Sequence, residues 1–496
     1  MMKNHVDLAL GDDLPALVDQ AQGYCDKGLW AFARQTLEHL FALGHDPAKT
    51  AQHLGDVCGA EGDATEAIRW HRVALGIDPQ RYASQEHLIF LLDAMGDTTE
   101  ADARHVRRDW WERFGAAAYA RRLPHTNWAH PEKRLRIGYV GGDFNFHSAA
   151  IAFVNVITNH SDAFQPIFYS TLEPWRYDHR TKLWRERYGA AFVDASPMSA
   201  SLLANTIRAD EIDILVDLAG FTGNNRLLTF AEAPAPIRIQ AWGYVLGTQS
   251  PALTHLFADP VVASPAIRAQ LTEQVVDLPC VLSYWPRPDL PDVNRLPCLD
   301  APPVFSVFQR GQKITPAACA VWAEILRRVP DATIIFKGGD YTPLRREVIA
   351  DAFDGCRGRV SLDFQMGHHD HMLSYQHVDL ALDTWPQTGG VSTLEAAWMG
   401  VPTVTLIGER MIQRASASIL TAMGAARGFV ATTEADYIEK AVEWVTTGRV
   451  RLSAVRAGLR DMLQLSPIMT GYVQAVEKQY RTLWREWCQS QNKEAA

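Results

Sequence analysis

Apolar and polar positions in the first quarter of the chain follow a helical period, and the pattern itself recurs. Gly28, Gly62 and Gly96 stand 34 residues apart, and an alanine follows five residues after each (Ala33, Ala67, Ala101). The middle copy continues as the amphipathic run GDATEAIRWHRVALGIDPQ, stopped by Asp78-Pro79. A period of 34 is that of the tetratricopeptide helix-turn-helix, in which small residues let helices approach and proline closes the unit. Three degenerate copies with flanking helices are predicted over residues 1–130.

After DWWERFG the helical signal fades through AAAYARRLPHTNWAHPEK, and a different pattern starts. Short apolar runs (RLRIGYVGG, QPIFYST, AAFVDAS, DILVDLAG, IRIQAWG, LFADPVV) read as strands, with the helix SLLANTIRADEI between two of them. Strands alternating with helices predict a parallel sheet covered on both faces. The proline-rich LPCVLSYWPRPDLPDVNRLPCLDAPP reads as a linker, after which VFSVFQ, ATIIFKG, RVSLDFQ, DLALDTW and PTVTLIG begin a second α/β run. Two Rossmann-like lobes are expected, over 131–300 and 301–496. The last amphipathic helix, YVQAVEKQYRTLWREWC, is expected to pack back on the first sheet. Ligands of such folds sit beyond the carboxyl ends of the strands, so the cleft between the sheets is the expected site.

Composition narrows the class. Forty-eight Lys and Arg against 57 Asp and Glu give a net charge of −9, which leaves no chain-wide basic field for nucleic acid. Seven scattered cysteines without a C-x-x-C pair suggest neither a disulfide framework nor a zinc site, and fit a reducing cytoplasm. The start, MMKNHVDLALGDDLPAL, places acidic residues where a signal peptide needs an apolar run. No window of about 18 apolar residues occurs, so no membrane span is expected.

Several motifs carry candidate chemistry. In LDTWPQTGGVSTLEAAWMGVP a strand, a Gly389-Gly390 loop and a helix beginning near Ser392 follow one another. That order makes an anion site: glycines admit a ligand close to the backbone, and the first N–H groups of the helix point at it. Glu395, one turn in, could accept from a ribose hydroxyl. Lys313, in the loop of FQRGQKITP, is a candidate phosphate clamp. His368 and His371 of MGHHDHML lie at i, i+3, but no third ligand at metal spacing is apparent, so base stacking or a hydrogen bond to a nucleotide is the preferred reading. His147, in RIGYVGGDFNFHS, belongs to the loop after the first strand, facing the same cleft. The segment is not G-x-G-x-x-G, so no dinucleotide fingerprint is present.

Together, the repeats, LRIGYVGGDFNFHS, DEIDILVDLAGFTGNNRLLTFAEAPAPIRIQAWGY, FADPVVASP, KITPAACAVWAEILRRVP and LDTWPQTGGVSTLEAAWMGVPTVTL resemble the protein O-linked N-acetylglucosamine transferase family, from about Arg134 to Thr433. The resemblance implies a GT-B fold and an inverting, metal-independent transfer of a sugar from a nucleotide to a protein Ser or Thr hydroxyl. It also implies that the repeats dock the acceptor. His147 falls on the family's active-site histidine and Lys313 on its diphosphate-contacting lysine. Gly390, Val391 and Ser392 fall on the diphosphate loop, and Glu395 on the acidic ribose ligand. His371 matches the histidine near the uracil, with Met366 and His368 on neighbouring base contacts. Gly243 and Tyr244 match the segment lining the sugar pocket.

This chain departs from the family at several of these places. His147-Ser148 stands for His-Pro, and Gly390-Val391-Ser392 for a triplet His-Thr-Thr. Ser374 takes the place of an arginine, Asp213 stands in the family's GIHIL segment, and Val245-Leu246 extend the sugar-facing loop. The expected donor is UDP-N-acetylglucosamine or a related UDP-sugar. One alternative is a flagellin glycosyltransferase using a cytidine monophosphate nonulosonic acid; another is a non-catalytic repeat scaffold. No cofactor or metal is expected.

Overall fold

The computed structural model describes residues 11, 13–95, 98–339, 341–364 and 367–494. Three helix pairs open the chain: α1 (Leu14–Asp26) with α2 (Trp30–Ala42), α3 (Pro47–Glu61) with α4 (Ala64–Ile77), and α5 (Tyr82–Ala94) with α6 (Glu100–Trp110). Gly28 and Gly62 lie in the turns inside their pairs with φ of 67° and 97°, a region glycine enters without strain. Gly96 lies outside the described residues. Ala33 and Ala67 are fully buried, but Ala101 is exposed and Ala103 takes the buried place. Ala33, Ala67 and Ala103 are each the fourth residue of their helix, so in the third pair the second helix begins two residues later than the repeat period places it. A capping box fixes that later start. Thr99 Oγ1 accepts from Asp102 N at 3.1 Å and Asp102 Oδ2 accepts from Thr99 N at 3.1 Å.

Two all-parallel sheets follow. The first comprises β1 (Leu135–Gly141), β2 (Phe164–Ser170), β3 (Phe192–Asp194), β4 (Ile214–Asp217), β5 (Ile237–Gln240), β6 (His255–Ala258) and β7 (Gln274–Asp277), in the order β3-β2-β1-β4-β5-β6-β7. The second comprises β8 (Val304–Val307), β9 (Thr333–Gly338), β10 (Val360–Phe364), β11 (Leu380–Leu382), β12 (Thr403–Leu406) and β13 (Val430–Ala431), in the order β10-β9-β8-β11-β12-β13. Near-continuous burial of Leu135, Ile137, Tyr139 and Val140 along β1 is what a strand covered on both faces requires. Strand order reverses between β1 and β4 in one sheet and between β8 and β11 in the other. Loops leaving neighbouring strands in opposite directions open a crevice there. This is the GT-B arrangement of two Rossmann-like lobes behind a helical repeat.

The helix Tyr472–Glu494 returns to the first sheet. Tyr480 and Tyr139 hydroxyls meet at 3.2 Å, Trp484 Nε1 donates to His130 O at 3.0 Å, and Tyr472 OH donates to Cys280 O at 2.8 Å. The proline-rich connection is no loose tether: Leu278, Cys280, Val281, Leu282 and Tyr284 are buried in it. Asp213 also has a structural task. Its carboxylate accepts from Asn127 Nδ2 at 2.9 Å, Lys133 Nζ at 2.8 Å and Arg136 N at 2.9 Å, pinning the chain that enters β1.

A buried charged cluster joins the repeats to both lobes, beside contacts such as Asn225 to Glu86 and Thr342 to Glu61. Asp93 of α5 binds Arg107 of α6 and accepts from the Tyr244 hydroxyl of the first lobe at 2.7 Å. Arg410 of the second lobe lies 3.7 Å from the same carboxylate and donates to Met95 O at 3.1 Å. Asp93, Arg107, Tyr244 and Arg410 are all buried. Among the described residues no helix is long and apolar enough to cross a membrane.

Candidate functional site

The second-lobe wall of the cleft is built at the β8/β11 reversal. Beyond β11, the buried Asp383 carboxylate accepts from Thr384 N at 2.9 Å, Gly389 N at 2.7 Å and Thr405 Oγ1 at 2.7 Å, folding loop 384–389 against the strand end. Burial pushes this carboxyl above its ordinary range despite those donors. The helix Val391–Trp398 then starts at Gly390 with no side-chain cap. The N–H groups of Gly390, Val391 and Ser392 donate no hydrogen bond to the described residues. Free donors at the positive end of a helix are suited to an anion.

Lys313 sits beside them, in the turn Gly311–Lys313 after β8. Its Nζ donates to Thr388 O at 3.0 Å and Gln309 Oε1 at 3.2 Å, and Gln309 Nε2 donates to Ser392 Oγ at 2.7 Å. One amide thus couples the lysine to the helix start. Burial pulls the Lys313 ammonium down to about 7, Arg310 adds to that, and Asp383 opposes it.

One turn deeper, both oxygens of Glu395 are engaged. His368 Nε2 lies 2.9 Å from Oε1 and His371 Nε2 lies 3.5 Å from Oε2. Burial alone would raise this carboxyl, but the two imidazoles reverse that and hold it at about 2. Glu395, read from the sequence as a possible acceptor for a ribose hydroxyl, is a buried anion paired with the two histidines. His371 also packs against Phe308 and Tyr375, with ring centroids 5.6 and 5.4 Å away. Met366 lies outside the described residues. Ser374 Oγ accepts from Lys337 Nζ at 2.6 Å, so β9 supplies a cation beside the position where the family has arginine.

On the first-lobe wall, His147 caps the helix Ser148–Thr158 that follows β1. Its Nδ1 lies 3.3 Å from Ala149 N and 3.2 Å from Asp143 Oδ1, and half of the side chain is exposed. Gly243 lies where a Cβ would stand 1.8 Å from Leu218 O, so no other residue fits the turn after β5. Tyr244 is placed differently from the sugar-pocket expectation. Its ring packs over Gly220 and its hydroxyl enters the Asp93–Arg107 cluster, facing the repeats. The added Leu246 is buried at the same junction, beside Glu100, Arg107 and Arg410. The site therefore gathers Lys313, Gly389, Gly390, Val391, Ser392, Glu395, His368 and His371 on one wall, and His147 stands on the other.

Sequence reading did not single out Asp383, Gln309 or Lys337. Asp383 and Lys337 each carried a signal, a charged residue at the end of an apolar strand. Gln309 carried none.

Residues 117–282 and 294–475 match the profile of the family described as Glycosyl transferase family 41. The chain is 30% identical over 435 residues to the probable UDP-N-acetylglucosamine--peptide N-acetylglucosaminyltransferase SPINDLY of Arabidopsis thaliana, covering 84% of this chain and 46% of that protein. It is 28% identical over 380 residues to the probable UDP-N-acetylglucosamine--peptide N-acetylglucosaminyltransferase SEC of the same plant, covering 72% of this chain and 38% of that protein. The chain thus spans about half the length, or less, of the curated relatives it matches. Among solved structures, an O-GlcNAc transferase mutant of Thermobaculum terrenum superposes with a TM-score of 0.87 at 29% identity, over 97% of this chain and 92% of that one.

Proposed function

Because this chain belongs to glycosyl transferase family 41, we propose that its cleft binds a nucleotide sugar and that it transfers the sugar to Ser or Thr hydroxyls of a protein. The observation that carries this reading is the meeting of Lys313 Nζ with the unengaged N–H groups of Gly390, Val391 and Ser392 at the β8/β11 crevice. A cation and a helix start aimed at one place suit a diphosphate. The names of the relatives favour UDP-N-acetylglucosamine as donor. The reaction is a single displacement: an acceptor oxygen bonds to the anomeric carbon as the bond from that carbon to the diphosphate oxygen breaks. The diphosphate keeps the electron pair, and the hydroxyl proton passes to a base. Lys313 and the helix N–H groups stabilise the charge that develops on the leaving group, which is usually the largest catalytic term. None of this needs a metal. The repeats hold the acceptor, flagellin being one protein to try, and the reaction belongs to the cytoplasm.

Calorimetric titration with nucleosides and nucleotides tests the reading. Uridine diphosphate should bind and uridine should not. Because Lys313 sits at about 7 when free and a diphosphate would raise it, binding takes up a proton. Affinity is then full below pH 7 and falls as pH rises through that value, by up to about tenfold per unit between pH 7 and 9. A flat profile, or no binding by any nucleotide, overturns the assignment.

His147 should act on transfer and not on nucleotide affinity, since it belongs to the lobe opposite the phosphate elements. His147→Ala is expected to slow transfer by about 10²-fold with the nucleotide Kd unchanged. Full activity would make the residue only a helix cap.

A further inference from the structure

Three helices of the repeat region bring a carboxylate and two imidazoles to one point. Asp56 on α3, His71 on α4 and His87 on α5 each contribute one ligating atom, and the three atoms lie within 4.8 Å of one another. His87 Nδ1 stands 2.5 Å and His71 Nε2 3.7 Å from Asp56 Oδ1. The two rings meet edge to face, with centroids 5.3 Å apart. Gly55 makes the room. A Cβ there would come within 2.6 Å of the His71 ring, so any other residue at this place on α3 would displace the imidazole.

His71 lacks what a buried imidazole normally has. It is 1% exposed, its Nδ1 has no hydrogen-bond partner among the described residues, and 3.7 Å to Asp56 puts Nε2 beyond hydrogen-bond reach. A desolvated ring with neither nitrogen engaged costs free energy unless something binds it. Burial pulls this imidazole down to about 4, against the opposing charge of Asp56, so near pH 7 the ring is neutral with a lone pair to give. Burial would raise the Asp56 carboxyl, but the hydrogen bond and charge of His87 hold it below its ordinary range, so its oxygens are anionic. No Lys or Arg among the described residues pairs with Asp56; its ion-pair partners are the two imidazoles.

We propose that Asp56 Oδ1, His71 Nε2 and His87 Nδ1 bind a zinc ion. Two imidazole nitrogens and one carboxylate oxygen suit a borderline divalent cation such as zinc, and not a hard one such as magnesium. Tetrahedral bonds of about 2.0–2.1 Å set ligand atoms about 3.4 Å apart. The His71 contact is close to that spacing already, and the His87–Asp56 hydrogen bond opens to it by a small rotation of the half-exposed His87 side chain. Zinc takes the place of the proton between Asp56 and His87, which passes to solvent, and water fills the fourth position. The ion ties α3 and α4 of one helix pair to α5 of the next. Glu86, beside His87, accepts from Asn225 Nδ2 of the first lobe at 3.1 Å, so the tie fixes α5 where the repeats meet that lobe. The ligands come from three helices with no short motif among them, which is why sequence spacing does not announce the site. None of the three belongs to the cleft, and the transfer chemistry argued above is independent of this ion.

The test uses the full chain, stripped by a chelator and titrated with zinc by calorimetry. A step of one zinc per chain should appear with a Kd on the order of 1 μM or tighter. His87→Ala, at a half-exposed position, and Asp56→Asn should each weaken that step by about 100-fold or more. Zinc should also raise the thermal transition of the native chain and leave that of either variant unmoved. No binding at about 100 μM zinc overturns the proposal, and so does binding undiminished in both variants. X-ray absorption at the zinc edge reads the native chain alone. Nitrogen and oxygen neighbours at about 2.0–2.1 Å, with scattering from two imidazole rings, are expected. A shell containing sulfur, from any of the seven cysteines, overturns the assignment, and this arm stands even if neither variant folds.

Discussion

Replacing Lys313 with alanine is expected to weaken nucleoside diphosphate binding at least about 100-fold, close to 3 kcal/mol. Truncation removes a charge-assisted contact to the phosphates. It also leaves Thr388 O and Gln309 Oε1 without the donor they now share, which loosens the coupling of Gln309 to Ser392. Two effects are therefore combined, and Lys313→Arg separates them. Arginine keeps the cation but stays protonated over the whole range, so its nucleotide affinity should be flat between pH 7 and 9 while the native affinity declines. Calorimetry across pH reads both. A Lys313→Ala chain with native affinity would remove the lysine from the site.

Asp93→Ala should be the most destabilising single change in the repeat junction. Asp93 binds Arg107 and Tyr244 and lies close to Arg410, all of them buried. Removing the more deeply buried carboxylate leaves Arg107 and Arg410 only the longer contacts to Glu100, at 3.9 and 3.8 Å, and so under-paired charge in a desolvated place, a loss of about 3–5 kcal/mol. Because the cluster joins α5 and α6 to the first lobe through Tyr244 and to the second through Arg410, the loss should appear in the thermal transition of the whole chain. Asp93→Asn, which keeps an acceptor for the Tyr244 hydroxyl, should fall between the two. A shift no larger than that of a surface pair, under about 1 kcal/mol, would show that the junction does not depend on this carboxylate.

What was legible in the sequence depended on how local the signal was. The strands of both sheets announce themselves as apolar runs because parallel strands are buried on both faces. β7 escaped notice since it is an edge strand with only Val276 fully buried in QVVD, and the helix Pro343–Ala352 because only Ile349 of it is buried. The repeat period was readable in two copies, but the longer turn before α6 moved the buried alanine from 101 to 103. At the site, the Gly-Gly loop and Lys313 could be read because each is a local sequence of strand, loop and helix start. The engagement of Glu395 by His368 and His371 could not. It joins two helices more than 20 residues apart, and only the closure of the sheet sets their distance. Tyr244 fails for a related reason: its chain position follows the family motif, but the direction of its ring is set by α5 and α6, far away in sequence.

The central claim is that a nucleotide diphosphate sits at the β8/β11 crevice, and a crystal structure of the chain soaked with uridine diphosphate tests it most directly. The diphosphate should lie within hydrogen-bond reach, about 2.7–3.2 Å, of Lys313 Nζ and of the N–H groups of Gly390, Val391 and Ser392. Nucleotide bound elsewhere, or a vacant crevice at saturating nucleotide, would contradict the account.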